Sequence, residues 1–145
     1  MQVAEQRDHM TDKADGDGTD GGVVRLRVDL GRGTLLGPGK ADLLQGIRET
    51  GSIAAAGRRM GMSYKRAWYL IDTLNAGFLN PLVITAKGGR TGGGARLSET
   101  GDAVLDGFRS MERAAAVATA SDLTGLLALL KPVDEPEANE TSLPI

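Results

Sequence analysis

Residues 50–97 read TGSIAAAGRRMGMSYKRAWYLIDTLNAGFLNPLVITAKGGRTGGGARL, and they hold capping, turn, basic and glycine signals more densely than any other segment of the chain. Ser52 stands where a serine hydroxyl would accept a hydrogen bond from the first turn of a helix. Gly61 then supplies a turn, and Ser63 is placed to cap a second helix. A short helix, a tight turn and a second helix with a basic start predict a helix-turn-helix, which presents its second helix to the DNA major groove.

The two helices are expected to have distinct inner and outer faces. The inward residues of the first are Ile53, Ala55, Ala56 and Met60. In the second helix, apolar residues spaced by four, three and four positions share one buried face: Ala67, Ile71, Leu74 and Phe78. The residues left on the other side of the second helix are polar, basic or aromatic: Lys65, Arg66, Tyr69 and Thr73.

A β-hairpin is predicted after the second helix. Asn80-Pro81 breaks the chain, residues 82–85 are rich in β-branched side chains, and residues 95–97 can return as a second strand. The tip between them, residues 87–94, holds five glycines in eight positions. Glycine has no Cβ, so such a tip can lie close to a sugar-phosphate backbone, with Lys87 and Arg90 providing charge. This hairpin is the expected wing.

The segment before Thr50 predicts one strand and one helix. Residues 23–30 alternate, with Val24, Leu26, Val28 and Leu30 on the buried face of a strand. Residues 31–39 have the composition of a turn. A helix from about Lys40 to Thr50 follows, with Leu43, Leu44 and Ile47 pointing inward and Gly51 terminating it.

The segment after Leu97 predicts helices with more apolar surface than a small domain needs. Ser98 should cap a long helix, and Ser121 a second, short one that carries five leucines and ends near Leu130. The apolar stripe of the long helix is Val104, Leu105, Phe108, Met111, Ala115 and Ala118. We expect the surplus to meet another subunit, which makes the long helix a dimerisation helix.

The charge distribution favours a polyanionic partner for the middle of the chain. The net charge of the whole chain is −2, but residues 1–22 carry two basic against six acidic side chains, and residues 131–145 one against four. These ends are predicted to be disordered acidic tails of a domain at residues 23–130. The segment from Arg58 to Arg96 contains seven basic residues and one acidic residue. Such a local excess suits nucleic acid.

Composition and motifs argue against several other classes. The chain has no cysteine, no run of 18 apolar residues and no apolar stretch near its start, so we expect a cytoplasmic protein with no membrane partner. The glycines lack the Lys-Ser/Thr of a phosphate-binding loop. The one histidine, His9, lies in the acidic tail, and Glu99, Asp102 and Asp106 form an exposed acidic face without a basic partner. We therefore expect no enzyme, no metal site and no cofactor.

The motifs GSIAAAGRRMGMSYKRAW and KGGRTGGGARLSETG resemble the N-terminal DNA-binding domain of the ModE family of molybdate-responsive transcription regulators. The resemblance covers roughly residues 35–111. A weaker similarity, carried by the small-residue helix and Leu97-Ser98-Glu99-Thr100-Gly101, extends to the winged helix domain of LysR-type regulators. The resemblance implies a winged helix-turn-helix, mainly α with a small β-hairpin.

The resemblance also implies function. It implies a homodimer, joined by its terminal helices, that binds a palindromic operator in double-stranded DNA. The start of the recognition helix and the wing would touch DNA, which carries onto Ser63, Tyr64, Lys65, Arg66, Lys87, Gly88, Gly89, Arg90, Thr91, Gly92, Gly93 and Gly94. The molybdate-binding domains of the family are not expected in this chain, so it would act constitutively, work with a separate sensor protein or respond to a signal through its own surfaces.

Several features of the sequence allow more than one interpretation. Arg58, Arg59 and Tyr69 are also predicted to contact DNA; Tyr69 is expected to be exposed, and the alternative for the two arginines is a solvated surface. Trp68 either packs or contacts DNA. The glycine loop is either a DNA-contacting wing or a plain hairpin tip. A dimeric protein-interaction module, a non-specific DNA binder and a molybdate sensor within this chain are the alternatives to a sequence-specific transcription regulator.

Overall fold

The structure, a computed structural model, describes residues 21–86 and 94–133. Its elements in chain order are β1 (Val28–Asp29), β2 (Leu35–Leu36), α1 (Pro38–Thr50), α2 (Ile53–Arg59), α3 (Tyr64–Gly77), β3 (Val83–Thr85), β4 (Ala95–Leu97) and α4 (Glu99–Leu127). The expected class is confirmed, since the fold is mainly helical with small antiparallel sheets and a long C-terminal helix.

Three of the four predicted serine caps are present. The Oγ atom of Ser52 accepts a hydrogen bond from the Ala55 N–H at 3.1 Å, and that of Ser63 from the Arg66 N–H at 3.1 Å. The Oγ atom of Ser98 accepts from the Gly101 N–H at 3.0 Å. Each cap satisfies an N–H group that has no partner within its own helix. The starts of α2, α3 and α4 are therefore fixed by local chemistry.

Two glycines make the turns that fold α1, α2 and α3 onto one another. Gly51 ends α1 with a φ of 70°, and Gly61 connects α2 to α3 with a φ of 68°. This left-handed backbone is accessible to glycine without a steric penalty. Helix α1 begins at Pro38 rather than at Lys40, because the fixed φ of proline suits the first position of a helix.

The hydrophobic core lies where α1, α2 and α3 meet β3, β4 and the start of α4. Helix α2 lies close to both neighbours: a Cβ atom added at Gly46 would come 2.9 Å from the Cβ of Ala56. The predicted Ala55, Met60 and Phe78 are only partly buried. The buried apolar residues are Leu36, Ala41, Leu43, Leu44, Ile47, Ile53, Ala56, Ala67, Leu70, Ile71, Leu74, Leu82, Val83, Ala95, Leu97, Leu105 and Phe108.

The predicted second hairpin is present at its base. Strands β3 and β4 pair antiparallel, with Val83 opposite Leu97 and Thr85 opposite Ala95. Buried and exposed side chains alternate along β4, where Arg96 is exposed between Ala95 and Leu97. The predicted tip, residues 87–93, lies outside the described residues.

The first sheet differs from the prediction. The expected strand over residues 23–30 is reduced to β1, which pairs antiparallel with β2, a strand that the turn-like composition of residues 31–39 did not predict. The predicted alternation holds from Val24 to Val28, but Leu30 is 50% exposed. The chain reverses directly after Leu30, so this side chain no longer lies over the core.

Helix α4 is one continuous helix of 29 residues, so the predicted second helix capped by Ser121 is wrong. Serine tolerates a helix interior, and its preference for caps is a weak signal once flanking residues continue the helix. Leu105 and Phe108 are buried, whereas Met111 is 47% exposed and Ala118 is exposed. The apolar stripe therefore runs beyond the core that residues 21–86 and 94–133 form.

Ion pairs connect α4 to α1. The guanidinium group of Arg48 lies 2.9 Å from the carboxylate of Asp102 and 3.0 Å from that of Asp106. Arg109 pairs with Asp42 at 2.7 Å. The hydrogen bond that Arg48 donates to Asp102 is the main cause that raises the pKa of Arg48. The expectation that the acidic face of α4 has no basic partner is wrong, because the partner comes from a distant part of the sequence.

Candidate nucleic-acid interface

An exposed stripe runs along α3. Lys65, Tyr69 and Thr73 follow one another at four-residue intervals, which places them on one side of the helix, and all three are exposed. Ser63 and Tyr64 are exposed at the N-terminus of the same helix, and Arg66 beside them is partly buried. The structure thus brings the predicted contact residues of α3 onto one surface.

Aromatic contacts order the first two turns of α3. The rings of Tyr64 and Trp68 meet edge to face with centroids 6.1 Å apart, and the guanidinium carbon of Arg66 lies 5.7 Å from the ring centre of Tyr69. Trp68 is partly buried and packs against the core. Tyr64 and Tyr69 are 59% and 61% exposed. Packing is therefore the role that the structure gives Trp68, while the two tyrosines face solvent.

A shallow cleft of about 250 Å³ joins the start of α2, the start of α3 and the base of the second hairpin. Tyr64 and Trp68 form its α3 wall, and Thr85, Gly94 and Ala95 form its hairpin wall. The base of the hairpin is thus a direct neighbour of the exposed start of α3.

Asn75 sets the position of the hairpin relative to α3. Its Oδ1 atom accepts hydrogen bonds from the Leu82 N–H at 2.9 Å and the Val83 N–H at 3.1 Å, and its Nδ2 donates to the Val83 carbonyl at 3.3 Å. On the other strand, the Ala95 N–H donates to the Gly51 carbonyl at 2.8 Å. Sequence reasoning missed Asn75. Its one signal is a poor helix former within an otherwise regular helix.

The two predicted arginines of α2 lie at its end, just before the turn to α3, and both are exposed. Arg59 forms an ion pair with Glu49 of α1. The pKa of Glu49 lies below its ordinary value, first because Gln45 donates a hydrogen bond to it and then because Arg59 does. Arg58 has no ion-pair partner in residues 21–86 and 94–133. Of the two, Arg58 is therefore the one without a competing carboxylate.

The remaining predicted contact residues, 87–93, lie outside the described part of the chain. Arg96 on β4 is exposed and adds a positive charge to the base of the hairpin. Within the described residues, no helix has the length and apolar character that crossing a membrane requires. What the described surface offers is a capped helix start surrounded by basic and aromatic side chains, which suits contact with phosphates and base edges.

Comparison with known proteins finds relatives in bacteria. The chain is 47% identical over 92 residues to the molybdenum-pterin-binding protein MopA of Rhodobacter capsulatus, a match that covers 63% of this chain and 35% of MopA. It is 38% identical over 90 residues to the molybdenum transport protein ModE of Azotobacter vinelandii, covering 62% and 33%. It is 34% identical over 82 residues to the DNA-binding transcriptional dual regulator ModE of Escherichia coli K12, covering 57% and 31%.

The names of these relatives agree with the ModE resemblance, but each match covers only part of this chain and about a third of the relative. No protein-family model matches the chain. The chain spans about a third of the length of the curated relatives it matches. Their names describe transcription regulators and molybdenum-binding or transport proteins. The similarity to LysR-type regulators stays a prediction.

Proposed function

We propose that this chain is a cytoplasmic, sequence-specific transcription regulator that binds double-stranded DNA through α3. The observation that carries the proposal is the start of α3, where Ser63 caps the helix and Tyr64 and Lys65 are exposed on the same surface. A helix presented in this way fits the major groove, with its first residues at base edges and phosphates. The name of the Escherichia coli relative, a DNA-binding transcriptional regulator, supports the same function.

In this proposal the second hairpin acts as the wing of a winged helix-turn-helix. Its base is held beside α3 by Asn75 and beside α1 by the Gly51 carbonyl. A hairpin fixed in this way would direct residues 87–93 toward the DNA backbone flanking the groove. The charge of Lys87 and Arg90 would then add phosphate or minor-groove contacts.

The proposal further includes a homodimer that pairs through α4 and binds a palindromic operator. The support is the exposed apolar side chains of α4: Met111 of the stripe is 47% exposed, and Leu126, which continues the stripe toward the end of the helix, is 64% exposed. Exposed apolar side chains on one side of a long helix are typical of an interface between subunits. Two α3 helices related by a twofold axis would then enter major grooves about 34 Å apart.

A link to molybdate or a related oxyanion follows from the names of the relatives alone. They include a molybdenum-pterin-binding protein and a molybdenum transport protein. The match to the molybdenum transport protein covers only about a third of that protein. We propose that any response to molybdate reaches the DNA-binding region from a separate sensor protein.

The test is selection of bound sequences from a random pool of DNA duplexes by the purified protein, with and without added molybdate. A palindromic site with half-sites one helical turn apart is the expected result. Enrichment of no sequence would overturn the proposal and would leave a non-specific DNA binder or a protein-interaction module. A site whose enrichment depends on molybdate in the absence of other proteins would place sensing within this chain.

A further inference from the structure

A second cationic surface lies at the other end of α3. The tip of the first hairpin and the last turn of α3 enclose a cleft of about 350 Å³, lined among others by Arg32, Thr34, Lys40, Thr73 and Gly77. The hairpin fits closely against the helix, because a Cβ atom added at Gly77 would come 2.9 Å from the Oγ1 of Thr34. None of the residues predicted to contact DNA lies in this cleft.

Arg32 holds an unfavourable backbone conformation at the edge of the cleft. Its φ is 55°, between Gly31 and Gly33, which both have a φ of 77°. Positive φ is accessible to glycine, and asparagine or aspartate tolerate it, but arginine incurs a cost of about 1 kcal/mol. A glycine would therefore suit folding better at this position. The presence of arginine indicates that its side chain serves something other than the turn.

Arg32 and Lys40 bring two positive charges to this cleft, and none of the described residues that line it is acidic, although Asp29 lies on the same hairpin. The Nζ atom of Lys40 donates to the Leu35 carbonyl at 2.8 Å. Burial is the main cause that lowers the pKa of Lys40, and the charge of Arg27 lowers it further. In residues 21–86 and 94–133, no carboxylate forms an ion pair with Arg27, Arg32 or Lys40. An anion placed between these groups would relieve their mutual repulsion.

The position of the cleft relates it to the exposed stripe of α3. Lys65, Tyr69 and Thr73 lie on one side of the helix, and Thr73 also lines the cleft. The 14 residues of α3 span about 20 Å, whereas the major groove is about 12 Å wide. A helix lying in the groove therefore has a phosphate backbone near each end. Lys65 supplies a positive charge near the N-terminal end of α3, and the cleft lies at the C-terminal end.

We propose that the cleft between the first hairpin and the C-terminal end of α3 holds a phosphate of the DNA backbone, with Arg32 and Lys40 as its ligands. This inference rests on the proposed function and adds a contact that the ModE resemblance did not assign. Residues at the two ends of α3 would thus contact the phosphates of the two DNA strands that border one major groove. Thr34 supplies a hydroxyl group that can donate to the same phosphate, whereas the Thr73 hydroxyl donates to the Tyr69 carbonyl at 2.9 Å.

The test replaces Arg32 with glycine, because this substitution removes the charge and relieves the backbone. DNA affinity is measured by fluorescence anisotropy at several salt concentrations, on a selected duplex and on an arbitrary one. We expect the melting temperature of R32G to be unchanged or higher. We expect its affinity for both duplexes to fall about three- to tenfold, and the salt slope to fall by about one per protomer.

Two further variants complete the experiment. K131Q removes one positive charge at an exposed position beyond α4 and is expected to bind as the wild type does. R32K keeps the charge and the strained backbone, and it should retain most of the affinity. Hydroxyl-radical footprinting should show a protected sugar at the edge of the wild-type footprint that R32G no longer protects.

The outcomes separate this inference from the function on which it rests. Wild-type affinity and salt slope in R32G would overturn the inference even if the protein selects a palindromic site. An increase in affinity would also overturn it, because Arg32 would then hold a group that competes with DNA. If the wild type selects no sequence, the proposed function fails, but a lower salt slope of R32G on the arbitrary duplex would still support the phosphate site.

Discussion

Gly101 lies against the backbone of Leu82: a Cβ atom added to Gly101 would come 2.1 Å from the Leu82 carbonyl oxygen. The same oxygen accepts a hydrogen bond from the Ser98 N–H at 2.9 Å, and the Ser98 hydroxyl donates to the Pro81 carbonyl at 2.6 Å. The start of α4 and the start of the second hairpin are thus joined at a point where no side chain fits.

Gly101→Ala should therefore destabilise the protein by about 2 kcal/mol or more, since neither backbone can move without breaking the junction. Gly107→Ala is the matched control, because a Cβ atom there meets nothing within 4 Å. That control should stabilise α4 by up to about 1 kcal/mol. Urea unfolding of both variants measures the difference, and equal midpoints would contradict the close contact.

Asn75→Ala should cost about 1–3 kcal/mol, because it leaves the Leu82 and Val83 N–H groups without their shared acceptor. It should also weaken DNA binding, since the hairpin loses its attachment to α3. Asn80→Ala, which removes one long hydrogen bond of 3.4 Å to Thr100, should change stability by less than about 0.5 kcal/mol. Urea unfolding and DNA titration together would show whether both effects occur.

Lys65→Ala should weaken binding to a selected duplex while the melting temperature stays within about 2 °C of the wild type, because the side chain is exposed. A phosphate contact would appear as a salt slope lower by about one, and a base contact as relaxed preference at one position of the site. A large fall in melting temperature would instead show that Lys65 is structural and that the outward face of α3 is wrongly assigned.

Glu49→Gln should act on both stability and binding. The folded-state pKa of Glu49 is depressed, so its contribution is present above the ordinary value of 4.5 and is lost as the pH falls through the lowered pKa. The variant should therefore show a flatter decline of stability in this acid range. Its DNA affinity at neutral pH should rise, because Arg59 loses its carboxylate partner. Unfolding midpoints measured from about pH 6 to about pH 3 and a DNA titration check both effects.

Leu126→Lys should convert a dimer to a monomer in sedimentation equilibrium, because it places a charge in the exposed apolar stripe of α4. Val117→Lys is the control: Val117 is 81% exposed and lies half a helical turn away from Leu126 around the axis. Wild-type mass for both variants would show that α4 does not join the subunits through this stripe.

The elements that the sequence predicted well are those fixed by neighbouring residues. Each serine cap depends on an N–H group three residues away, and Gly51 and Gly61 reverse the chain where they stand. The inward face of α3 follows from the spacing of Ala67, Ile71 and Leu74. Such signals are local and can be read along the chain.

The features that were missed depend on contacts between distant residues. Strand β2 consists of two leucines that become a strand only because β1 pairs with them. The Arg48 pairs with Asp102 and Asp106 join positions 54 and 58 residues apart. No local sequence pattern predicts the roles of Asn75 and Arg32. Asn75 forms its hydrogen bonds with a different element, and Arg32 is distinguished only by its backbone angle. A pairing partner across the fold leaves no periodic trace in the sequence.

Because ion pairs join α1 to α4, a tilt of the long helix should also move the helices packed on α1. Because Arg48 and Arg109 fasten α4 to the helix that carries α2 and α3, these parts should rotate as one body. Helix α4 is about 43 Å long, comparable with the distance of about 34 Å between successive major grooves. If two copies pair through α4, a tilt of a few degrees at the interface moves each α3 by about one base-pair step, ~3.4 Å. A partner that contacts only the C-terminal end of α4 would thereby change the half-site spacing that the dimer prefers.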